Sequence, residues 1–357
     1  MKITALFLVA LAFCSSLWAE DAYCRGVNMA GPEFGPLPGK NFKEYTFNNE
    51  ASFKYFAQKG LDVFRVPIRW ERLQPAPGGA FDKTYLDALK QNVAWAKKYD
   101  ARILIDVHNY CRYGLELNGE RKGVLIDVPD GPRSVTTADY CDLWKKLSTE
   151  FKDESGVYGY GLMNEPNNLG KSDWKATSNA AIKAIRENND NKIILVAGDH
   201  WSGAEAWERA NGPESWVKDP ADNFIYEAHC YFDSDGSGTY KKTYVEELGK
   251  NPDLAHLGRK RLKVFVDWCQ KNKVRGFLGE FGVPREDPRW CDEVLEDFMK
   301  CLDEAKFGGT YWAAGTYWGE YMMTVQPKDN YTTDRPQLAV LLRHLSPSKA
   351  PKDTVKP

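Results

Sequence analysis

Past its first twenty residues the chain carries no apolar run near the roughly 20 residues that a membrane-spanning helix needs, which excludes a protein threaded through a bilayer by helices. An excess of one charge is also missing. Charged residues make up 27% and the formal net charge is -2, so nothing in the composition points to nucleic acid or an anionic membrane surface. The five histidines are scattered, and neither a His-Glu-x-x-His nor a Cys-x-x-Cys spacing occurs, so no metal site and no cofactor are expected. What is abundant is aromatic: 13% of the chain, with twelve Trp, eighteen Tyr and seventeen Phe. Indoles in that number either fill a large core or stand as flat platforms for a ligand with an apolar face, such as a sugar ring.

Residues 1–19 read as a secretory leader. Lys2 follows Met1, Ile3 to Phe13 is an apolar run too short to span a bilayer, and Leu17-Trp18-Ala19 supplies a small-residue exit. The mature chain is expected to begin at Glu20, with roughly 340 residues left, enough for one large α/β barrel or two ordinary domains. Cleavage removes Cys14 and leaves Cys24, Cys111, Cys141, Cys230, Cys269, Cys291 and Cys301. In an oxidising compartment some of these should pair, and their odd number leaves one thiol over. Cys230, inside the strand-like run Phe224 to Tyr231, is expected to be free, and Cys269 with Cys301 is the bridge we expect. Cys291 and Cys301 are about 15 Å apart by helical rise if one helix holds both, too far to bridge.

Short apolar runs alternate with longer amphipathic stretches, the pattern of βα units around a parallel sheet. Eight runs read as strands: Arg25 to Ala30, Val63 to Arg69, Arg102 to His108, Val157 to Asn164, Lys192 to Asp199, Phe224 to Cys230, Val274 to Glu280 and Gly309 to Ala314. Helical spacing covers Asn49 to Lys59, Lys83 to Tyr99, Thr137 to Phe151, Ser172 to Glu187, Arg259 to Lys273 and Cys291 to Ala305. Trp201 to Pro220, rich in Trp, Gly and Pro, reads as a loop with one or two short helices. The fold class is therefore α/β, a single-domain (β/α)8 TIM barrel over residues 20–346, followed by a tail at 347–357 that is expected to be disordered.

In such a barrel the strand C-terminal ends converge on the site. Here they carry Asn28, Arg65, His108, Asn164 with Glu165, Asp199 with His200, His229 with Tyr231, Glu280 and Trp312. Two strings matter most, Gly159-Tyr160-Gly161-Leu162-Met163-Asn164-Glu165-Pro166 and Gly276-Phe277-Leu278-Gly279-Glu280-Phe281-Gly282, because each delivers one glutamate from a buried strand. A carboxylate at such a place costs free energy unless compensated, and Arg65 and the histidines are its natural partners. Two carboxyls are what acid/base hydrolysis of an acetal requires.

On these strings the chain resembles glycoside hydrolase family 5, retaining (β/α)8-barrel enzymes that include many cellulases. Leu162 to Pro166 fits the family signature, and Phe64 to Pro67, Asp106 to Tyr110, Tyr226 to Tyr231, Leu278 to Gly282 and Tyr311 to Gly315 follow in the family's order. Asp233 to Thr239 resembles the loop after the sixth strand in the endo-β-1,4-glucanase subfamily best known from fungal cellulases. Tyr240 to Tyr244, however, lacks the cysteine those enzymes place there. The resemblance implies a secreted enzyme with Glu165 as acid/base and Glu280 as nucleophile. Arg65 would keep Glu280 ionised, Asn164 would hold the sugar 2-hydroxyl, and Tyr231 would donate to the nucleophile. His108, Asn109 and His229 join the supporting and substrate-binding set, the histidines on substrate hydroxyls or on the carboxylates. Trp312 is expected beneath the sugar, with Trp318, Trp201 and Tyr113 further along a cleft. The substrate would be a β-glucan or cello-oligosaccharide and the enzyme a monomer. The alternatives are a hydrolase of β-mannan, xyloglucan or mixed-linkage β-glucan, or a non-catalytic carbohydrate-binding barrel. No cellulose-binding module is present, so soluble or amorphous glucan is expected to be cut faster than crystalline cellulose.

Overall fold

Runs such as Ile193-Ile194-Leu195-Val196-Ala197 are buried along their whole length, which a strand tolerates only in a sheet covered on both faces. The structure, a computed structural model, describes residues 23–117, 119–130, 134–347 and 349. The leader and most of the tail read from the sequence lie outside them. Among the described residues the strands are β1 (Arg25–Met29), β2 (Val63–Ile68), β3 (Arg102–Val107), β4 (Arg112–Leu117), β5 (Glu120–Leu125), β6 (Val157–Gly161), β7 (Ile193–Ala197), β8 (Phe224–His229), β9 (Gly276–Glu280) and β10 (Gly308–Ala314). Eight of them close a barrel in the order β1-β10-β9-β8-β7-β6-β3-β2, and β4 pairs with β5 as a separate hairpin. Every barrel pairing is parallel, so the expected (β/α)8 architecture is the one found.

The helices are α1 (Glu50–Gln58), α2 (Trp70–Leu73), α3 (Lys83–Lys98), α4 (Thr137–Phe151), α5 (Trp174–Glu187), α6 (Trp207–Asn211), α7 (Tyr244–Lys250), α8 (Leu257–Asn272), α9 (Glu296–Ala305) and α10 (Pro336–Arg343). Their starts are written in the sequence. Asn49 caps α1 by accepting from the Ser52 amide at 3.0 Å, Asp82 caps α3 through the Tyr85 amide at 2.7 Å, and Thr136 with Asp139 closes a capping box on α4, each satisfying donors the first turn leaves open. A π-helical turn over Trp290–Leu295 leads into α9, so Cys291 and Cys301 do not share one regular helix. No helix among the described residues is long and apolar enough to cross a membrane.

Period-two alternation sorts the barrel interior into layers. Val63, Leu104 and Ile225 join Cys24, Tyr158, Ile193, Leu195 and Phe277 in an apolar cluster. Two residues further along the same strands stand Arg65, Asp106 and Glu227, all buried. A polar layer thus lies on an apolar plug, one step below the strand ends.

The cysteines correct an expectation. All seven are free thiols, Cys269 and Cys301 included, and Cys230 is free and buried as expected. Six are core residues and Cys141 is half-buried. Burial pushes the Cys24, Cys111, Cys230 and Cys291 thiols up to about 12, so they pack as small hydrophobes rather than as thiolates ready for exchange.

Candidate active site

Pairing register brings the polar strand ends together. Asn28 pairs with Arg65 across β1 and β2, and His229 pairs with Glu280 across β8 and β9 just beyond an irregularity at Ala228/His229. The loop after β6 is tied to β3, with the Asn164 amide on the Val107 carbonyl at 2.8 Å. Glu165 follows at φ 45°, a left-handed conformation uncommon for a residue with a Cβ and of the kind that gathers at functional sites. Asn167 fixes it by donating to the Glu165 carbonyl at 2.9 Å. Gly279, inside the second glutamate string, has a steric reason. A Cβ there would meet Glu227 Oε1 at 1.9 Å and His229 Nε2 at 2.8 Å.

Arg65 organises the centre. Fully buried, it donates to Asn28 Oδ1 at 2.9 Å, Glu280 Oε1 at 3.1 Å and Asn164 Oδ1 at 2.8 Å. Its charge also faces Asp106 and Glu227, each at 3.0 Å. Burial opposes ionisation of the guanidinium, but those carboxylates with Glu280 outweigh it. Burial likewise works against the Glu227 carboxylate, yet Arg65 and His229 hold its pKa low. For Asp106 the balance goes the other way, and burial raises its pKa against the pull of Arg65.

Tyr231 donates to Glu280 Oε2 at 2.8 Å. His229 Nδ1 lies 2.7 Å from Glu165 Oε1 and 3.7 Å from Glu280 Oε2. Burial alone would discharge that imidazole, but Glu280, Glu165 and Glu227 push its pKa up to about 10, so it is a cation at neutral pH. One oxygen of Glu165, one of Glu280 and an imidazole nitrogen of His229 all lie within 4.8 Å of one another. Three such atoms are near enough to hold a metal ion, which would first have to displace the imidazole proton.

His108 differs. Its Nδ1 meets Asp106 Oδ2 at 2.8 Å and its Nε2 meets the Asn164 amide nitrogen at 3.1 Å. Burial pushes its pKa down to about 3, so it stays neutral and accepts from Asn164. It touches neither glutamate. Its ring stacks at 5.7 Å and 18° on Trp312, which is 7% exposed and meets Trp318 edge-on at 5.7 Å. Trp318 stacks on Tyr321 at 4.4 Å.

Other expected residues lie elsewhere. Asn109 belongs to the framework: its Oδ1 accepts from the Trp70 amide at 2.8 Å, and its Nδ2 donates to Glu71 at 2.8 Å and to the Arg112 carbonyl at 3.1 Å, so its amide is spent on joining α2 to β4. Tyr113 is a core residue, 2% exposed, with its hydroxyl on the Gln74 carbonyl at 2.8 Å, because the hairpin turns it inward. Trp201 is exposed, on the loop after β7. Asp106, Glu227, Glu33 and Phe34 were not singled out from the sequence. The first two carried a signal, a charged residue two positions before a histidine on an apolar strand, which puts both on the same face.

A closed parallel barrel with two carboxyls at its mouth is the frame of a glycoside hydrolase. The chain belongs to the cellulase family, glycosyl hydrolase family 5, whose model matches residues 21–317. It is 32% identical over 339 residues to endo-beta-1,4-glucanase B of Emericella nidulans, covering 92% of this chain and 95% of that protein. Among solved structures it is similar to endoglucanase Cel5A of Pseudomonas stutzeri in complex with cellobiose, with a TM-score of 0.80 and 33% identity over 90% of this chain and 92% of that one. It is also similar to XacCel5A in complex with cellopentaose, with a TM-score of 0.79 and 34% identity over 91% of this chain and 99% of that one.

Proposed function

We propose that the protein is a secreted, monomeric endo-β-1,4-glucanase that cuts internal glucosidic bonds with retention of configuration, using Glu165 as acid/base and Glu280 as nucleophile. The carboxyl spacing carries this reading. Retaining pairs stand about 5–5.5 Å apart between carboxyl groups, whereas inverting pairs stand about 6.5–9.5 Å apart to admit a water; here one oxygen of Glu165 lies within 4.8 Å of one of Glu280, a nearest-atom approach that supports the closer, retaining class. The relatives support the substrate class, as endoglucanases by name and through the cellobiose and cellopentaose held by two of them. The apolar leader of residues 1–19 supports export.

The contacts support each role. Protonated His229 donates to Glu165 Oε1, so the transferable proton of Glu165 sits on Oε2 and passes to the glycosidic oxygen. Glu280 attacks the anomeric carbon and forms a glycosyl ester, and the leaving chain departs. Glu165, now a base, takes a proton from the water that breaks the ester. Arg65 and Tyr231 each hold one oxygen of Glu280 and so fix the line of attack. Asn164 has spent Oδ1 on Arg65 and one N–H on His108, leaving its second N–H for the sugar 2-hydroxyl. Trp312 offers a ring held flat by His108. Because one carboxyl must be charged and the other protonated, the rate should follow a bell-shaped pH profile.

A substrate panel tests the reading: carboxymethyl-cellulose, barley β-glucan, mannan, xyloglucan and laminarin, with Glu280→Ala as control. We expect the cellulosic substrate and barley β-glucan to be cut fastest and the variant to be inactive. Mannan cut faster than either would refute the substrate assignment.

A further inference from the structure

Residues 233–240, on the loop after β8, take no part in the mechanism above, yet they are built around one side chain. Asp233 is 2% exposed, and four donors converge on its carboxylate. The Gly238 amide donates to Oδ1 at 3.0 Å, while the Ser237 hydroxyl at 3.0 Å and the Thr239 and Tyr240 amides at 3.1 Å each donate to Oδ2. Only a carboxylate offers acceptors on both oxygens and no donor. The turn so formed is a seat for a ring. Gly238 is buried at φ 71°, and a Cβ there would meet Cδ1, Cγ and Cε1 of Tyr231 at 2.7, 2.8 and 2.9 Å, so bare backbone lies against the phenol. The far end of the loop is anchored separately. The Tyr240 hydroxyl accepts the Phe232 amide at 3.1 Å and donates to the Gly282 carbonyl, two residues beyond Glu280, at 2.5 Å, and its ring meets Trp290 edge-on at 5.1 Å.

We propose that Asp233 is a positioning residue for the nucleophile: by holding the Gly238 backbone against the Tyr231 ring, it sets the hydrogen bond from the Tyr231 hydroxyl to Glu280. This rests on the glucanase reading above. The contacts run without a gap from Asp233 Oδ1 to the Gly238 amide, from Gly238 to the Tyr231 ring, and from the Tyr231 hydroxyl to Glu280 Oε2 at 2.8 Å. Arg261 on α8 also holds this region, donating to the Tyr231 and Asp233 carbonyls at 2.5 and 2.9 Å. Those bonds fix the backbone at Tyr231 and leave the direction of its ring to the Gly238 seat. In Asp233→Asn one acceptor oxygen becomes a donor facing amides that are themselves donors. The seat loosens, the ring tilts, and a misplaced holder of the nucleophile costs rate rather than affinity. Tyr240 and Arg261 keep the rest of the loop in place.

The test is a double-mutant cycle on cellopentaose hydrolysis, with Asp233→Asn, Tyr231→Phe and the two combined. Tyr231→Phe keeps the ring on its seat and removes the hydroxyl. Asp233→Asn alone should lower kcat about tenfold with KM changed less than about twofold. Added to Tyr231→Phe, it should lower kcat less than about twofold further, because the bond it disturbs is already gone. The full tenfold loss in the Tyr231→Phe background overturns the proposal, and so does an unimpaired Asp233→Asn or Tyr231→Phe enzyme. Should Asp233→Asn fail to fold, Gly238→Ala, whose Cβ pushes the same ring, takes its place in the cycle with the same outcomes. Absence of cellopentaose cleavage by the unaltered enzyme would instead contradict the glucanase reading, which separates the two.

Discussion

Arg65 faces three carboxylates, Asp106, Glu227 and Glu280, and none of the four is more than slightly exposed. Its removal strands negative charge in a dry interior, so Arg65→Leu should destabilise the protein by about 3–5 kcal/mol in urea unfolding. A loss of less than about 1 kcal/mol would mean the carboxylates find other partners. The two glutamates were legible in the sequence because each ends an apolar run where a charge needs a purpose. Asp106 and Glu227 showed only their spacing from a histidine, because their shared partner Arg65 sits on another strand, β2; β3 pairs with β2 directly, but only barrel closure brings β8 across to it. Glu33, buried on the loop after β1, was illegible for a plainer reason: a glutamate in a Gly-Pro-Glu-Phe-Gly loop reads as solvated, and nothing local says the loop folds inward.

Among the elements, the barrel strands were legible because burial on both faces demands continuous apolar runs. The hairpin β4–β5 was missed. Its second strand begins with four exposed residues, so it shows no core face, although Asn118-Gly119 is a hairpin signal. α2, four residues long, is too short to show a period. These two elements explain Asn109, which lies in a family motif but serves as a clamp between them. Asn109→Ala should cost about 1–3 kcal/mol of stability, by leaving the Trp70 amide and Glu71 without a partner, with KM little changed. A raised KM at unchanged stability would restore Asn109 to the substrate. The seven free thiols also belong here, since pairing is decided by which helix faces which and not by cysteine count.

For the whole molecule, the two site histidines set opposite limits on pH stability. Below their ordinary value of 6.5 the unfolded chain takes up a proton that His108 refuses until about pH 3, so stability falls toward acid. Above 6.5 the unfolded chain gives up a proton that His229 keeps until about pH 10, so stability falls toward alkali. Scanning calorimetry from about pH 4 to about pH 10 should therefore show a dome in Tm, and a Tm still climbing on the alkaline side would contradict the assigned charge of His229. The same protonated imidazole, set between Glu165 and Glu280, is part of what lets two carboxyls share one barrel mouth and do different work. The most direct test of that division of labour is the anomer released first when cellopentaose is cut, followed by proton NMR before mutarotation. Double displacement through Glu280 predicts the β-anomer, and initial release of the α-anomer would contradict it.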